Sequence, residues 1–258
     1  MAGPILVFDS GVGGLSVVAA LREHLPQAAL AYACDNAMLP YGPRQDAWLV
    51  RRILTVCEAA VAASGCVALV VACNTASTLA LDALRERLGV PVVGTVPAIK
   101  PAAAASRSRH IGLLATSATV ARPYTLRLIE TFAADCRVRR VAADPLVREA
   151  ERRLAGERPD AGVIEAALAP LWDDPDLDTV VLGCTHFPLL RDALAARVPR
   201  AVTWVDSSDA IARRTAQVAM DMAPANGPGA SLATAPDRAL ADVLARFGFA
   251  APGLLMLD

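Results

Sequence analysis

The chain has 258 residues, 55% of them hydrophobic, with a net charge of −1 and a pI near 6.3. That length is enough for one large domain or two small ones, and the charge gives no electrostatic case for a nucleic-acid or anionic-membrane partner. No apolar run reaches the roughly 18 residues that a membrane span needs, and the opening MAGPILVFDSG lacks a basic leader, so the expected location is the cytoplasm.

Short apolar runs alternate with helical patterns. ILVF (5–8) predicts a strand, after which Leu15, Val18, Leu21 and Leu25 recur at helical spacing. ALAYAC (29–34) predicts a second strand, 45–64 a long amphipathic helix, and VALVVA (67–72) a third strand. Leu81, Leu84 and Leu88 mark the apolar face of the next helix, and PVVG is a short fourth strand. Residues 94–110 break the pattern with prolines and small residues, which reads as a domain crossing with a short helix. The pattern then restarts with strand HIGLLA, a helix near 118–134, strand RVRRVA, helices near 145–154 and 160–172, and strand DTVVLG. A helix from about 188, strand VTWVD (202–206) and a helix over 208–220 follow; 224–235 reads as a flexible loop, and the tail as a strand or helix of weak signal.

This order predicts an α/β fold of two similar domains with mostly parallel sheets and the active site in the cleft between them. The first domain is expected to comprise 1–97 plus 207–258, and the second 98–206.

In such sheets ligands bind at the carboxyl ends of strands. FDSGVGG, CDNAMLPYG, ACNTAS and GCTHFP all fall there. Two of these segments place a cysteine directly after an apolar run, Cys73 and Cys184, each followed by side chains with hydroxyl, amide or imidazole groups. A thiol between a strand and a helix meets backbone N–H groups that favour thiolate, the reactive form. A lone cysteine there is equally well a small core residue; the matched pair argues for function. Cys34, Cys57, Cys66 and Cys136 lack such neighbours and are expected in the core. In a chain of this size with no leader, reduced thiols are the better reading.

Other chemistries fit less well. DSGVGGLS fails the dinucleotide spacing, because Ser16 stands where a third glycine is needed, although Asp35 follows at the distance of a ribose ligand. An anion on the amides of this turn fits better. There is no Cys-x-x-Cys pair, and Cys184 and His186 are too close in sequence for an ordinary zinc set, so no metal is expected. His24 and His110 are expected to be structural. Lys100 is the only lysine, which leaves pyridoxal phosphate a single Schiff-base candidate.

Taken together, FDSGVGGLSV, DNAMLPYG, ACNTAS, VPAIKPA, LATSATV, GCTHFPLL and VDSSDAIARRT resemble the glutamate racemases of the aspartate/glutamate racemase family, over roughly 5–215. The resemblance implies a cofactor-independent isomerase that interconverts L- and D-glutamate. It would supply D-glutamate for peptidoglycan, and so for the cell wall and cell shape. Two thiols on opposite faces of the α-carbon would share the acid/base work, Cys73 acting on D-glutamate and Cys184 on L-glutamate. Asp9 resembles the carboxylate near the first thiol and His186 the imidazole near the second. Ser10, Asn74, Thr75 and Thr185 resemble the substrate's polar ring, Pro40, Tyr41 and Gly42 one wall, and Thr116 and Thr119 the second domain's hydroxyls. The only partner implied is the small-molecule substrate, with a homodimer compatible. One departure stands out: after PLV many members of the family carry a substrate-contacting glutamate, where this chain has Arg148, with Glu149 and Glu151 nearby.

Overall fold

A computed structural model describes residues 2–257; Met1 and Asp258, the ends of the predicted first domain, lie outside them. The chain divides into two compact units, Met1–Thr95 with Ser208–Asp258, and Val96–Ser207. Unit 1 opens with β1 (Ile5–Asp9), α1 (Leu15–His24), β2 (Leu30–Cys34), α2 (Asp46–Ser64), β3 (Ala68–Val71), α3 (Asn74–Arg87) and β4 (Val92–Gly94). Unit 2 follows with α4 (Ile99–Ala105), β5 (His110–Ala115), α5 (Ser117–Ala121), α6 (Pro123–Phe132) and β6 (Arg137–Ala142). It continues through α7 (Pro145–Leu154), α8 (Ala161–Leu168), β7 (Thr179–Leu182), α9 (Arg191–Ala195) and β8 (Thr203–Val205). The chain then returns to unit 1 with α10 (Ser208–Val218), β9 (Ser231–Ala233), α11 (Arg238–Arg246) and β10 (Gly253–Leu254).

The unit 1 sheet runs β10-β9-β2-β1-β3-β4 and the unit 2 sheet β6-β5-β7-β8, with every neighbour parallel. Helices cover both faces of such sheets, so their strands read as unbroken apolar runs. Ile5, Leu6, Val7 and Phe8 are accordingly all fully buried, and each such side chain contributes roughly 1.5–3 kcal/mol by leaving water. In unit 1, Leu49, Ile53 and Val56 of α2 and Ala76, Ala80 and Leu84 of α3 close one core over this sheet. In unit 2, Ile99 and Ala102 of α4 pack on Ile111, Leu113 and Val181.

The order β2-β1-β3-β4 in the first sheet is the order β6-β5-β7-β8 in the second. Strand order therefore reverses between β1 and β3, and again between β5 and β7. A reversal leaves a crevice at the carboxyl ends of the two strands beside it, because their connections leave on opposite faces.

Three elements differ from the sequence reading. The helix expected near 118–134 is two helices, broken at Arg122, because Pro123 has no N–H to give and begins α6 instead. The helix expected from about 188 opens as a 3-10 turn, Phe187–Leu190, before α9. The loop expected over 224–235 contains β9, which extends the sheet beside β2. Ser-Leu-Ala is too short and too small to declare a strand by pattern; backbone pairing with β2 decides it.

Candidate active site

In unit 1 the predicted residues gather at the carboxyl ends of β1 and β3. Asp9 is fully buried, and its Oδ1 accepts the Gly11 N–H at 2.9 Å. Tyr32 donates its hydroxyl to the Gly11 carbonyl at 2.7 Å, pinning the turn after β1. Gly14, which opens α1, has no room for a side chain: a Cβ would lie 3.0 Å from both Asp9 Cβ and the Tyr32 hydroxyl. Much of this turn's hydrogen bonding is internal, with Leu15 N–H on the Val12 carbonyl and Ser16 N–H on that of Gly13.

Cys73 is the residue before α3, a helix of 14 residues, and Ser10 Oγ lies 3.7 Å from its sulfur. Helix N-termini carry a positive partial charge from their unpaired N–H groups. Asn74 and Thr75, the first residues of α3, are buried, and Asn74 Oδ1 has no hydrogen-bond partner. Buried polar oxygens are nearly always paired, so an open one at the mouth of a crevice is a natural ligand contact. Pro40 is exposed and Gly42 partly exposed, whereas Tyr41 is buried with its hydroxyl on Asp35. Burial and then the Asp35 carboxylate hold the Tyr41 hydroxyl well above its ordinary pKa. Asp35 itself is fully buried and engaged by Arg52, Tyr41 and Thr234, which takes it out of reach of a ribose.

In unit 2 the predicted residues gather at the carboxyl ends of β5 and β7. Thr116 caps the start of α5, and its Oγ1 lies 3.0 Å from that of Thr119; both are buried. Gly183 lets β7 run close beside β5: a Cβ there would meet Leu113 Cδ1 at 2.8 Å and Ala115 Cβ at 3.0 Å. Cys184, Thr185 and His186 follow, all buried. His186 Nδ1 lies 3.8 Å from Cys184 Sγ, and its Nε2 lies 2.7 Å from Glu151 Oε1. Burial alone pushes the imidazole pKa down, but its hydrogen bonds to Cys184 and Glu151 outweigh that and hold it well above the ordinary histidine value. His186 is thus braced on one side by a carboxylate and faces sulfur on the other, an arrangement that favours its charged form.

The three candidates after PLV stand differently on α7. Arg148 is exposed. Glu149 is buried and engaged elsewhere, accepting the Asp160 N–H at 2.7 Å and facing Arg152 Nη1 at 3.2 Å. Glu151 is the acid that pairs with His186. Which of three neighbouring positions does so depends on how α7 packs on residues 187–190, a long-range contact with no local signature.

Of the remaining cysteines, all expected in the core, Cys136 is only partly buried, packed against the unit 2 cluster. All six cysteines are free, Cys34, Cys57 and Cys66 are buried, and burial pushes the Cys57 and Cys66 thiols up. His24 pairs with Asp209. His110, Asp174 and Asp176 bring ligand atoms within 4.8 Å of one another, but Asp174 already accepts from His110 at 2.9 Å and the Asp176 N–H, and lies 3.6 Å from Arg137. Positive charge is already supplied there, which suits a structural carboxylate rather than a metal ligand. No helix among the described residues is long and apolar enough to cross a membrane.

The sequence profile of the Asp/Glu/hydantoin racemases matches residues 15–215. The chain belongs to this family of isomerases. Among its relatives, a glutamate racemase of Shewanella loihica is 52% identical over 214 residues, 83% of this chain and 80% of that one. The solved structure of Escherichia coli glutamate racemase, bound to L-glutamate and the activator UDP-MurNAc-Ala, superimposes with a TM-score of 0.94 at 42% identity, over 100% of both chains. That of the Thermus thermophilus glutamate racemase, bound to β-chloro-D-alanine, gives 0.78 at 35% identity, over 99% of this chain and 96% of that one.

Proposed function

We propose that this racemase interconverts L- and D-glutamate without a cofactor, by proton transfer through Cys73 and Cys184. The observation that carries the reading is the matched placement of two thiols. Each lies just past the strand next to the reversal point of its sheet, and each has polar partners of its own.

Inversion needs two groups, because a single base returns its proton to the face it came from. In the proposed cycle one thiolate removes the α-proton as the opposite thiol donates one to the other face. The C–H bond broken and the C–H bond formed balance, and the two sulfurs finish with their protonation exchanged, set for the reverse reaction. Efficient proton transfer requires groups within hydrogen-bond reach and with pKa values near the working pH, and cysteine at about 8.5 needs only modest tuning.

Cys73 takes the proton of D-glutamate and Cys184 that of L-glutamate. The His186 imidazolium is the counter-charge for a Cys184 thiolate, and Glu151 keeps it charged and oriented. Asp9 and Ser10 flank the first thiol. Asn74, Thr75, Thr116, Thr119 and Thr185 form the polar ring, and the open Asn74 Oδ1 is an acceptor for the substrate ammonium. The product serves peptidoglycan synthesis, in the cytoplasm.

The test is incubation in heavy water with each enantiomer of glutamate, and with a panel of other amino acids, with chelator and without added cofactor. Deuterium should enter the α-position of glutamate from both sides, with racemisation. Exchange confined to aspartate or another amino acid, or activity restored only by zinc or pyridoxal phosphate, would overturn the reading.

A further inference from the structure

Asp35 ends β2 at 0% exposure and accepts hydrogen bonds from three directions. Arg52 of α2 gives Nη2 to Oδ1 at 2.7 Å and Nε to Oδ2 at 2.9 Å. Tyr41 gives its hydroxyl to Oδ2 at 2.8 Å. Thr234, from the far end of the chain, gives its hydroxyl to Oδ1 at 2.7 Å. The carboxylate is a hub that ties the Pro40–Gly42 turn to a helix and to the segment after β9.

That segment grips the same loop at further points. Thr234 Oγ1 accepts the Ala37 N–H at 3.2 Å. Asn36 Oδ1 accepts the Ala235 N–H at 3.0 Å, and Asn36 Nδ2 donates to the Ala235 carbonyl at 3.1 Å. Leu255, just past β10, lies in the core cluster that holds Tyr41 and Cys73, with Leu257 and Met38 packed against it. The tail is therefore built into the wall that carries Tyr41. It also lies outside residues 15–215, the stretch the family profile matches.

We infer that Thr234 is a positioning residue: through Asp35 it fixes the Tyr41 ring, and so sets the turn that the racemase reading presents to substrate. The inference rests on that reading. A buried hydrogen bond to a charged group has a large effect when broken, because the remaining partner is left short of a bond. Valine has the shape of threonine without the hydroxyl, so Thr234→Val removes the bond to Asp35 and, with it, the acceptor for the Ala37 N–H, while keeping the side chain's bulk.

The experiment compares wild type, Thr234→Val and Thr234→Ser in two measurements. Hydrogen exchange should show residues 36–44 losing protection in Thr234→Val, with α1 and β3 unchanged. Kinetics should show KM for both enantiomers rising about tenfold, with kcat within about twofold, because the thiols are untouched. Thr234→Ser, which keeps the hydroxyl, should restore both. Protection of 36–44 that stays at wild-type level, or an unmoved KM beside a lowered melting temperature, would overturn the inference and make Thr234 a structural cap. If Thr234→Val does not fold, Tyr41→Phe removes another donor of the same carboxylate, and an unchanged KM there overturns it equally. Wild-type protein that exchanged no glutamate α-proton would overturn the racemase reading and this inference with it. Wild-type activity with an unmoved KM in the variant overturns this inference alone.

Discussion

Cys73 and Cys184 follow corresponding strands in two sheets of one strand order, yet their surroundings differ. Behind Cys73 stands α3, 14 residues long, and the Ser10 hydroxyl is a polar partner of its sulfur. Behind Cys184 the chain passes through Thr185 and His186 into a 3-10 turn of four residues that runs on into the short α9, and its partner is the His186 imidazole backed by Glu151. A long helix offers about half a unit of positive charge through its first amides. Where the helix is too short to do that, a charged side chain takes the place of the backbone. The two units thus show two ways of giving a sulfur a positive neighbour from one topology.

The largest effect expected from breaking this pairing follows removal of either sulfur. Cys73→Ala and Cys184→Ala should each lower racemisation by about 10³-fold or more, within the range of a lost general acid or base. Polarimetry or circular dichroism on each enantiomer measures it. Activity that survives either substitution within about tenfold would show that the two corners are not equivalent partners.

A smaller effect should follow Glu151→Gln, which keeps the shape but removes the carboxylate on His186. The two enantiomers have equal free energy in water, so kcat/KM for racemisation must fall equally in both directions. The asymmetry has to be read from a one-way reaction. Elimination from a glutamate analogue bearing a good leaving group on Cβ is such a reaction. The L-analogue, deprotonated by Cys184, should slow on the order of tenfold, and the D-analogue should hardly change. The sign of the pH dependence follows from the raised His186 pKa. Without Glu151 the imidazolium is lost at lower pH, so the alkaline limb of the L-profile should move down. Arg148→Ala, at the exposed neighbour, should leave both profiles in place.

The smallest effect concerns stability in unit 2 alone. Asp178 accepts from the Arg107 and Ser108 N–H groups and the Ser106 and Thr179 hydroxyls. Desolvation opposes its ionisation, but these donors outweigh it and lower its pKa to about 2. Its contribution is therefore present at neutral pH and disappears as pH falls from the ordinary aspartate value through about 2. Asp178→Asn should cost about 1 kcal/mol at pH 7, partly screened by solvent, and converge with wild type in acid. Denaturant melts at several pH values measure it, with kcat unaltered.

Much of this was legible in the sequence because parallel strands are apolar throughout. ILVF, ALAYAC and VALVVA declare themselves, and the polar residues that stop them, Asp9, Asp35 and Cys73, mark the crevice ends. The break at Pro123 was missed, because the apolar spacing across it reads as one helix although the proline has no N–H to give. β9 was not legible, since its place in the sheet comes from pairing with β2, some two hundred residues earlier. Nor was the choice of Glu151 over Glu149, which depends on long-range packing. Asp35 shows the same limit from the other side. Its spacing suits a ribose ligand, while the structure surrounds it with Arg52, Tyr41 and Thr234.

The central claim is that Cys73 and Cys184 are opposed bases, one for each face of the α-carbon. Elimination tests it most directly, because deprotonation alone drives that reaction and no second proton donor is needed. Serine is far less acidic than cysteine and a very poor base at neutral pH in its place. Cys73→Ser should still eliminate from the L-analogue, through Cys184, and not from the D-analogue; Cys184→Ser should do the reverse. The opposite handedness would exchange the two roles while keeping the pairing. Equal losses for both enantiomers in each variant would contradict it.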